Sequence, residues 1–167
     1  MSREEADGAD ETSPSTKTGA GETAGAAHNH GARTPAQWYG YIFGVALLLL
    51  GLLGFTADAN FDTEATDLTS GGFQGDGFLG FEVNGTHNVV HLASGLLLLA
   101  LAPKRGSARV GAVGFGILYV LVTLVGVIDG DNVLGLIPVN GADNVLHAAL
   151  AVLGLGAGLA SPRAASR

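Results

Sequence analysis

Apolar residues gather into four runs separated by polar, glycine-rich connections. The first spans Trp38 to Phe55 (WYGYIFGVALLLLGLLGF), the second about Asn88 to Ala102, the third Val110 to Ile128 and the fourth about Val145 to Ala160. Unbroken apolar runs of this length are transmembrane helices rather than buried strands. The second and fourth fall short of the ~20 residues a spanning helix needs. They reach that length if each helix starts at the polar Asn-Gly step just upstream. Asn84 and Asn140 then become N-caps, because an Asn side chain accepts from free amides of the first turn. Pro103 and Pro162 stand just past the ends of these helices, where a helix must stop. The pattern predicts an all-α integral membrane four-helix bundle over residues 35–162, with spans near 38–56, 85–102, 110–128 and 141–160.

The upstream steps repeat. VNGTHNVVHL, Val83 to Leu92, returns 56 residues later as VNGADNVLHA, Val139 to Ala148. Phe43-Gly44 of the first run matches Phe115-Gly116 of the third, and Gly54 matches Gly126, at an offset of 72. The extra 16 residues lie in the connection between the first and second runs. The chain therefore reads as two helical hairpins of one design. Each hairpin crosses twice, so both enter the membrane in the same direction and are related by a pseudo-twofold axis along its normal.

Charge sets the expected orientation. All eight basic residues fall on one side: Arg3, Lys17 and Arg33 before the first run, Lys104, Arg105 and Arg109 between the second and third, and Arg163 and Arg167 at the end. The other two connections, residues 56–87 and 129–144, hold nine acidic residues and no basic one. The positive-inside rule then places both termini in the cytoplasm of a multi-pass cell-membrane protein, with the acidic connections outside. Only 14% of residues are charged, against about 25% in soluble domains, which agrees with a bilayer location. There is no cysteine, which removes disulfides, thiolate metal sites and cysteine nucleophiles. Residues 1–34 lack an apolar run and read as a disordered acidic tail rather than a signal peptide. His28 and His30 in that tail read as solvated. No phosphate-binding loop, hydrolase elbow, metalloprotease motif or basic nucleic-acid patch is present.

The stretches FLGFEVNGTHNVVHLASG, Phe78 to Gly95, and LIPVNGADNVLHAAL, Leu136 to Leu150, resemble the prokaryotic membrane family described as domain of unknown function 4383. The resemblance covers about residues 36–160 and includes the first helix ending in GLLGF. It implies four helices, an asparagine-histidine motif entering the second and an Asp-Asn-x-x-His motif entering the fourth. Asn88 and His91 match the former, and Asp143, Asn144 and His147 the latter. Gly85 stands where the family often has proline, which implies a looser helix start. The resemblance implies no biochemical activity.

The candidate chemistry is the duplicated cluster. His87 and His91 are four residues apart, as are Asp143 and His147, so each pair shares one helix face. The first reading is structural: Asn84, Asn88, His91, Asn140, Asn144 and His147 form a polar cluster without cofactor. Asn88 bonds His147 across the bundle and Asn144 bonds His91. The second is a site for a divalent transition metal on His87, His91, Asp143 and His147, or for a haem between His91 and His147. The third is a small transporter or proton pathway, against which stands the lack of any charged residue or histidine between Arg109 and Asp129, or between His147 and Arg163. None of these provides a nucleophile, so a non-enzymatic protein is expected, with the lipid bilayer, a second copy or another membrane protein as partner and no nucleic acid. Trp38, Tyr39 and Tyr41 read as an interfacial aromatic belt. Thr123 reads as bonded within its own helix. Phe73, Phe78, Leu79 and Phe81 read as resting on the interface or capping the bundle.

The orientation has a direct test. With no native cysteine, Asp67→Cys and Asp131→Cys should react with an impermeant thiol reagent in intact cells, and Ser107→Cys should not. Labelling at position 107 but not at 67 would overturn the orientation.

Overall fold

The computed structural model describes residues 32–61, 77–130 and 132–163. The N-terminal tail with His28 and His30, most of the first acidic connection including Asp67 and Phe73, Asp131 and residues 164–167 lie outside the described residues. Among the described residues, four helices form: α1 (Pro35–Ala57), α2 (Gly85–Leu101), α3 (Arg105–Asp129) and α4 (Gly141–Ala160). Helices α1, α3 and α4 are long and apolar enough to cross a bilayer. At 17 residues, α2 is at the short end of the spanning range, about 26 Å at 1.5 Å per residue. The protein is an integral membrane four-helix bundle made of two helical hairpins, α1–α2 and α3–α4.

Local signals explain where the helices start. Thr34 caps α1 and closes a capping box with Gln37, and Pro35 opens the helix, so α1 begins ahead of its apolar run. Gln37 also donates through Nε2 to the carbonyls of Ala102 and Pro103, 3.1 and 3.0 Å away. Those oxygens have no partner within their own helix. Helix α3 likewise starts five residues before its apolar run, at Arg105, and Ser107 donates back to Leu101. At the same end Ser161 accepts from Ala36 N–H and from Arg109 Nε. The end of the bundle that carries the basic residues is thus bonded across all four helices.

Small residues face inward and large ones outward. Helix α1 buries Gly40, Gly44, Leu47, Gly51 and Gly54, while Ile42, Val45, Leu49, Leu52 and Leu53 are exposed. Lipid is as apolar as leucine, so burial of large side chains drives no association; close approach of backbones does. The repeat explains itself at two glycines. A side chain at Gly54 would collide with the Asn88 carboxamide, and one at Gly126 with that of Asn144. Each hairpin packs a helix-entry asparagine into the gap left by its partner helix's glycine.

Between the hairpins, α1 packs on both α3 and α4, and Tyr39 reaches across to donate to the Leu150 carbonyl at 3.2 Å. Tyr39 is therefore a core residue, with Leu47, Leu98, Phe115, Tyr119 and Leu150, and not part of an interfacial belt. Its hydroxyl finds a carbonyl partner inside the bundle, so the ring need not seek the interface. Trp38 and Tyr41 remain outside, both under the Arg33 guanidinium. Thr123 donates to the Tyr119 carbonyl one turn back.

Two short antiparallel hairpins lead into α2 and α4, features that the apolar pattern does not announce. Strands β1 (Gly77–Phe78) and β2 (Phe81–Glu82) pair around Leu79-Gly80; β3 (Asn132–Val133) and β4 (Ile137–Pro138) pair around residues 134–136. Both turns use left-handed residues, Leu79 and Gly80 in one, Leu134 and Gly135 in the other. Two-residue strands are too short to show alternation. Gly85 does not loosen its helix. Its N–H donates to the Asn60 carbonyl, which proline would forbid, and a side chain there would strike Phe61.

Gly54→Ala and Gly126→Ala should each lower stability by about 1–3 kcal/mol, the usual cost of overfilling a packed site. Gly114→Ala, which meets nothing within 4 Å, should be neutral or slightly stabilising. Thermal unfolding in detergent checks this; equal behaviour of all three would refute the packing account.

Candidate metal centre

The repeated asparagines set the geometry. Asn84 Oδ1 accepts from His87 N–H at 2.8 Å, and Asn140 Oδ1 from Ala142 and Asp143 N–H at 2.8 and 3.1 Å. Each is the N-cap of its helix. Their amide groups then cross to the other repeat. Asn84 Nδ2 donates to the Leu136 carbonyl at 3.1 Å, and Asn140 Nδ2 to the Gly80 carbonyl at 3.0 Å. Leu136 and Gly80 are themselves 56 apart, so the two bonds are symmetry mates. Each β-hairpin is fastened to the helix start of the opposite repeat.

The repeats diverge one turn in. Position 143 is Asp, and its Oδ2 accepts from Asn140 N–H at 2.9 Å, closing a capping box, and from Glu82 N–H at 3.0 Å. The equivalent residue is His87, whose Nδ1 lies 2.9 Å from the Glu82 carbonyl. A carbonyl only accepts, so Nδ1 carries the proton and, in the neutral ring, Nε2 keeps its lone pair. The Glu82 residue is held from both sides, by Asp143 at its N–H and by His87 at its carbonyl.

His87, His91 and His147 come together, all buried, with one nitrogen from each ring within 4.8 Å of the others. The rings of His87 and His91 lie 4.3 Å apart, those of His87 and His147 6.1 Å. Some point is then within about 2.8 Å of all three nitrogens, by plane geometry. Zinc–nitrogen bonds are about 2.0–2.1 Å, so a shift of under about 1 Å per ring would complete coordination. Asp143 does not join this group. The same capping box that starts α4 directs Oδ2 to backbone amides, leaving three imidazoles where four donors were expected.

The expected Asn–His bonds across the bundle do not form. Asn88 turns to its own hairpin, donating to the Asp58 carbonyl at 2.8 Å beside Gly54. Asn144 lies against Gly126. Three residues along a helix is about 60° short of a full turn. Asn and His therefore occupy adjacent stripes, one facing the hairpin partner and the other the bundle interior. Asn88 Oδ1, Asn144 Oδ1, His91 Nδ1 and His147 Nδ1 are all buried without a hydrogen-bond partner among the described residues. A buried polar atom left unpaired costs about 1–3 kcal/mol. The two histidines carry that cost at matched positions.

Tyr119, which the sequence reading passed over, stacks on His147 at 5.4 Å and 29°. A single tyrosine in the middle of an apolar run was the available signal. A small cavity lies beside the triad, lined by Leu50, Phe78, Phe81, Val83, His91, Asp143, Leu146 and His147. Phe78 and Phe81 thus cap the bundle, and Leu79 at the turn tip is exposed.

The architecture defines a four-helix integral membrane protein, built by duplication, with a polar knot and a histidine triad where α2 and α4 begin. Residues 37–160 match the family described as domain of unknown function 4383, and the chain belongs to it. No curated protein and no solved structure matches it.

Asn84→Ala and Asn140→Ala should cost stability to a similar degree. Each loses a cap, about 1 kcal/mol, and an inter-repeat hydrogen bond of about 1 kcal/mol. Detergent unfolding of the two variants measures this, and a neutral result at either position would contradict the exchange of bonds between repeats.

Proposed function

We propose that this is a non-enzymatic multi-pass membrane protein that binds one divalent transition-metal ion through His87, His91 and His147, at the outer end of the bundle. The observation that carries the reading is the triad itself: three buried imidazoles within 4.8 Å, two of them with an unpaired buried nitrogen. Packing sets where the asparagines sit: Asn84 and Asn140 cap helices, and Asn88 and Asn144 fill glycine gaps. It leaves the histidines unexplained, since they make no bond across the bundle to Asn88 or Asn144. The Glu82 carbonyl on His87 Nδ1 supports the reading, because metal-binding imidazoles are oriented by such a bond on the other nitrogen. An all-nitrogen set suits Zn²⁺, Cu²⁺ or Fe²⁺.

A haem fits less well. A porphyrin plane between His91 and His147 would have to displace His87, and the neighbouring cavity has room for about one water-sized molecule. A solute or proton pathway finds support only from Tyr39 and Tyr119 beyond the triad. Segregation of all eight basic residues supports cytoplasmic termini, and His91 and His147 then lie roughly 10 Å inside the outer ends of α2 and α4, with His87 in the first turn of α2.

Metal analysis of detergent-purified, metal-replete protein should give one equivalent of Zn²⁺ or Co²⁺ per chain that survives desalting. His87→Ala, His91→Ala and His147→Ala should each weaken binding by more than about 100-fold, beyond what loss of an orienting partner costs. Asp143→Asn should retain the ion. Wild-type protein that is folded and metal-free under these conditions would refute the proposal.

A further inference from the structure

We propose that the triad leaves a fourth coordination position facing the cavity under the first β-hairpin, where a small monodentate ligand from outside the protein binds. This rests on the metal-binding reading above. The donor count carries it first. The ion takes three nitrogens, and the carboxylate that lines the neighbouring cavity, Asp143, is engaged through Oδ2 by the N–H groups of Asn140 and Glu82. Withdrawing it would open the α4 capping box and release β2. Tetrahedral ions with three protein ligands keep the fourth place for water or an incoming molecule, whereas purely structural sites are closed by four.

The cavity is an independent observation. His91 and His147 line it together with Asp143, and the remaining walls are the apolar Leu50, Phe78, Phe81, Val83 and Leu146. The cavity therefore adjoins two of the three proposed ligands. Its enclosed space is about that of one water molecule, enough to seat the coordinating atom of a small ligand. The apolar walls provide no donor of their own to complete the coordination. The Asp143 carboxylate at the edge can accept a hydrogen bond from metal-bound water or another protic ligand. The occupant's class is thus a small anion or neutral donor, with the ion as its main attachment.

Full-length protein loaded with Co²⁺ in detergent tests this, with azide as the probe. Azide should shift the cobalt visible bands saturably at constant metal stoichiometry. Leu50→Trp, which overfills the cavity from α1 without replacing a proposed ligand, should weaken azide about tenfold or more at unchanged cobalt stoichiometry, as overfilling costs. Leu50→Ala should leave azide binding intact or tighter, which separates blocking from misfolding. Cobalt that binds stoichiometrically but ignores azide would overturn the open position while leaving the metal site standing. The same holds if azide sensitivity appears only in Asp143→Asn, because Asp143 would then be the fourth ligand. A folded protein that takes up no cobalt overturns both readings.

Discussion

The whole cap end of this protein depends on one constraint: backbone amides at the start of a helix near hydrocarbon must find oxygen acceptors. The repeated Asn-Gly steps meet it twice. Asn84 and Asn140 each accept from the first turn and then spend their own amide on the opposite repeat's hairpin. A capping residue thereby becomes a cross-brace, and the two hairpins are joined where lipid offers no hydrophobic force to join them. The opposite end uses the same logic with different residues, since Gln37 and Ser161 satisfy groups at helix ends on neighbouring helices.

Duplication gave both repeats the same frame, and a single divergence separates their chemistry. At the third residue of the helix Asp143 turns back to backbone amides, while His87 reaches the carbonyl of the residue that Asp143 holds by its N–H. The asymmetry is electrostatic in origin: a carboxylate accepts and favours a helix start, while a neutral imidazole donates once and keeps one lone pair. The result is an uneven cluster, three imidazoles with the carboxylate at its margin. A strictly symmetric repeat would have given either two histidines or four.

The small-residue stripes explain why the asparagines and histidines end on different faces. Gly54 and Gly126 leave room only for a planar carboxamide pressed against the neighbouring backbone. Asn88 and Asn144 occupy those gaps, so the histidines three residues on are rotated toward the other hairpin. Tyr39 and Tyr119 continue the interior below them, one bonded to a carbonyl of α4 and the other stacked on His147.

The sequence alone determined the number of helices, their pairing into two hairpins and the bilayer as solvent, because apolar run length and a repeat in register can be read along the chain. It marked the asparagine caps for the same reason: a cap is a contact between residues three apart. It also marked the histidines as the groups to explain. Tertiary structure alone decided what each polar side chain meets. Rotation of a helix about its axis is set by packing against neighbours, and in lipid no amphipathic pattern records it. Hence Asn88 and Asn144 went to glycine gaps instead of histidines, and Tyr39 went inward instead of to the interface. Asp143 closed a capping box, and the two β-hairpins, too short to leave a periodic signature, were folded over the site.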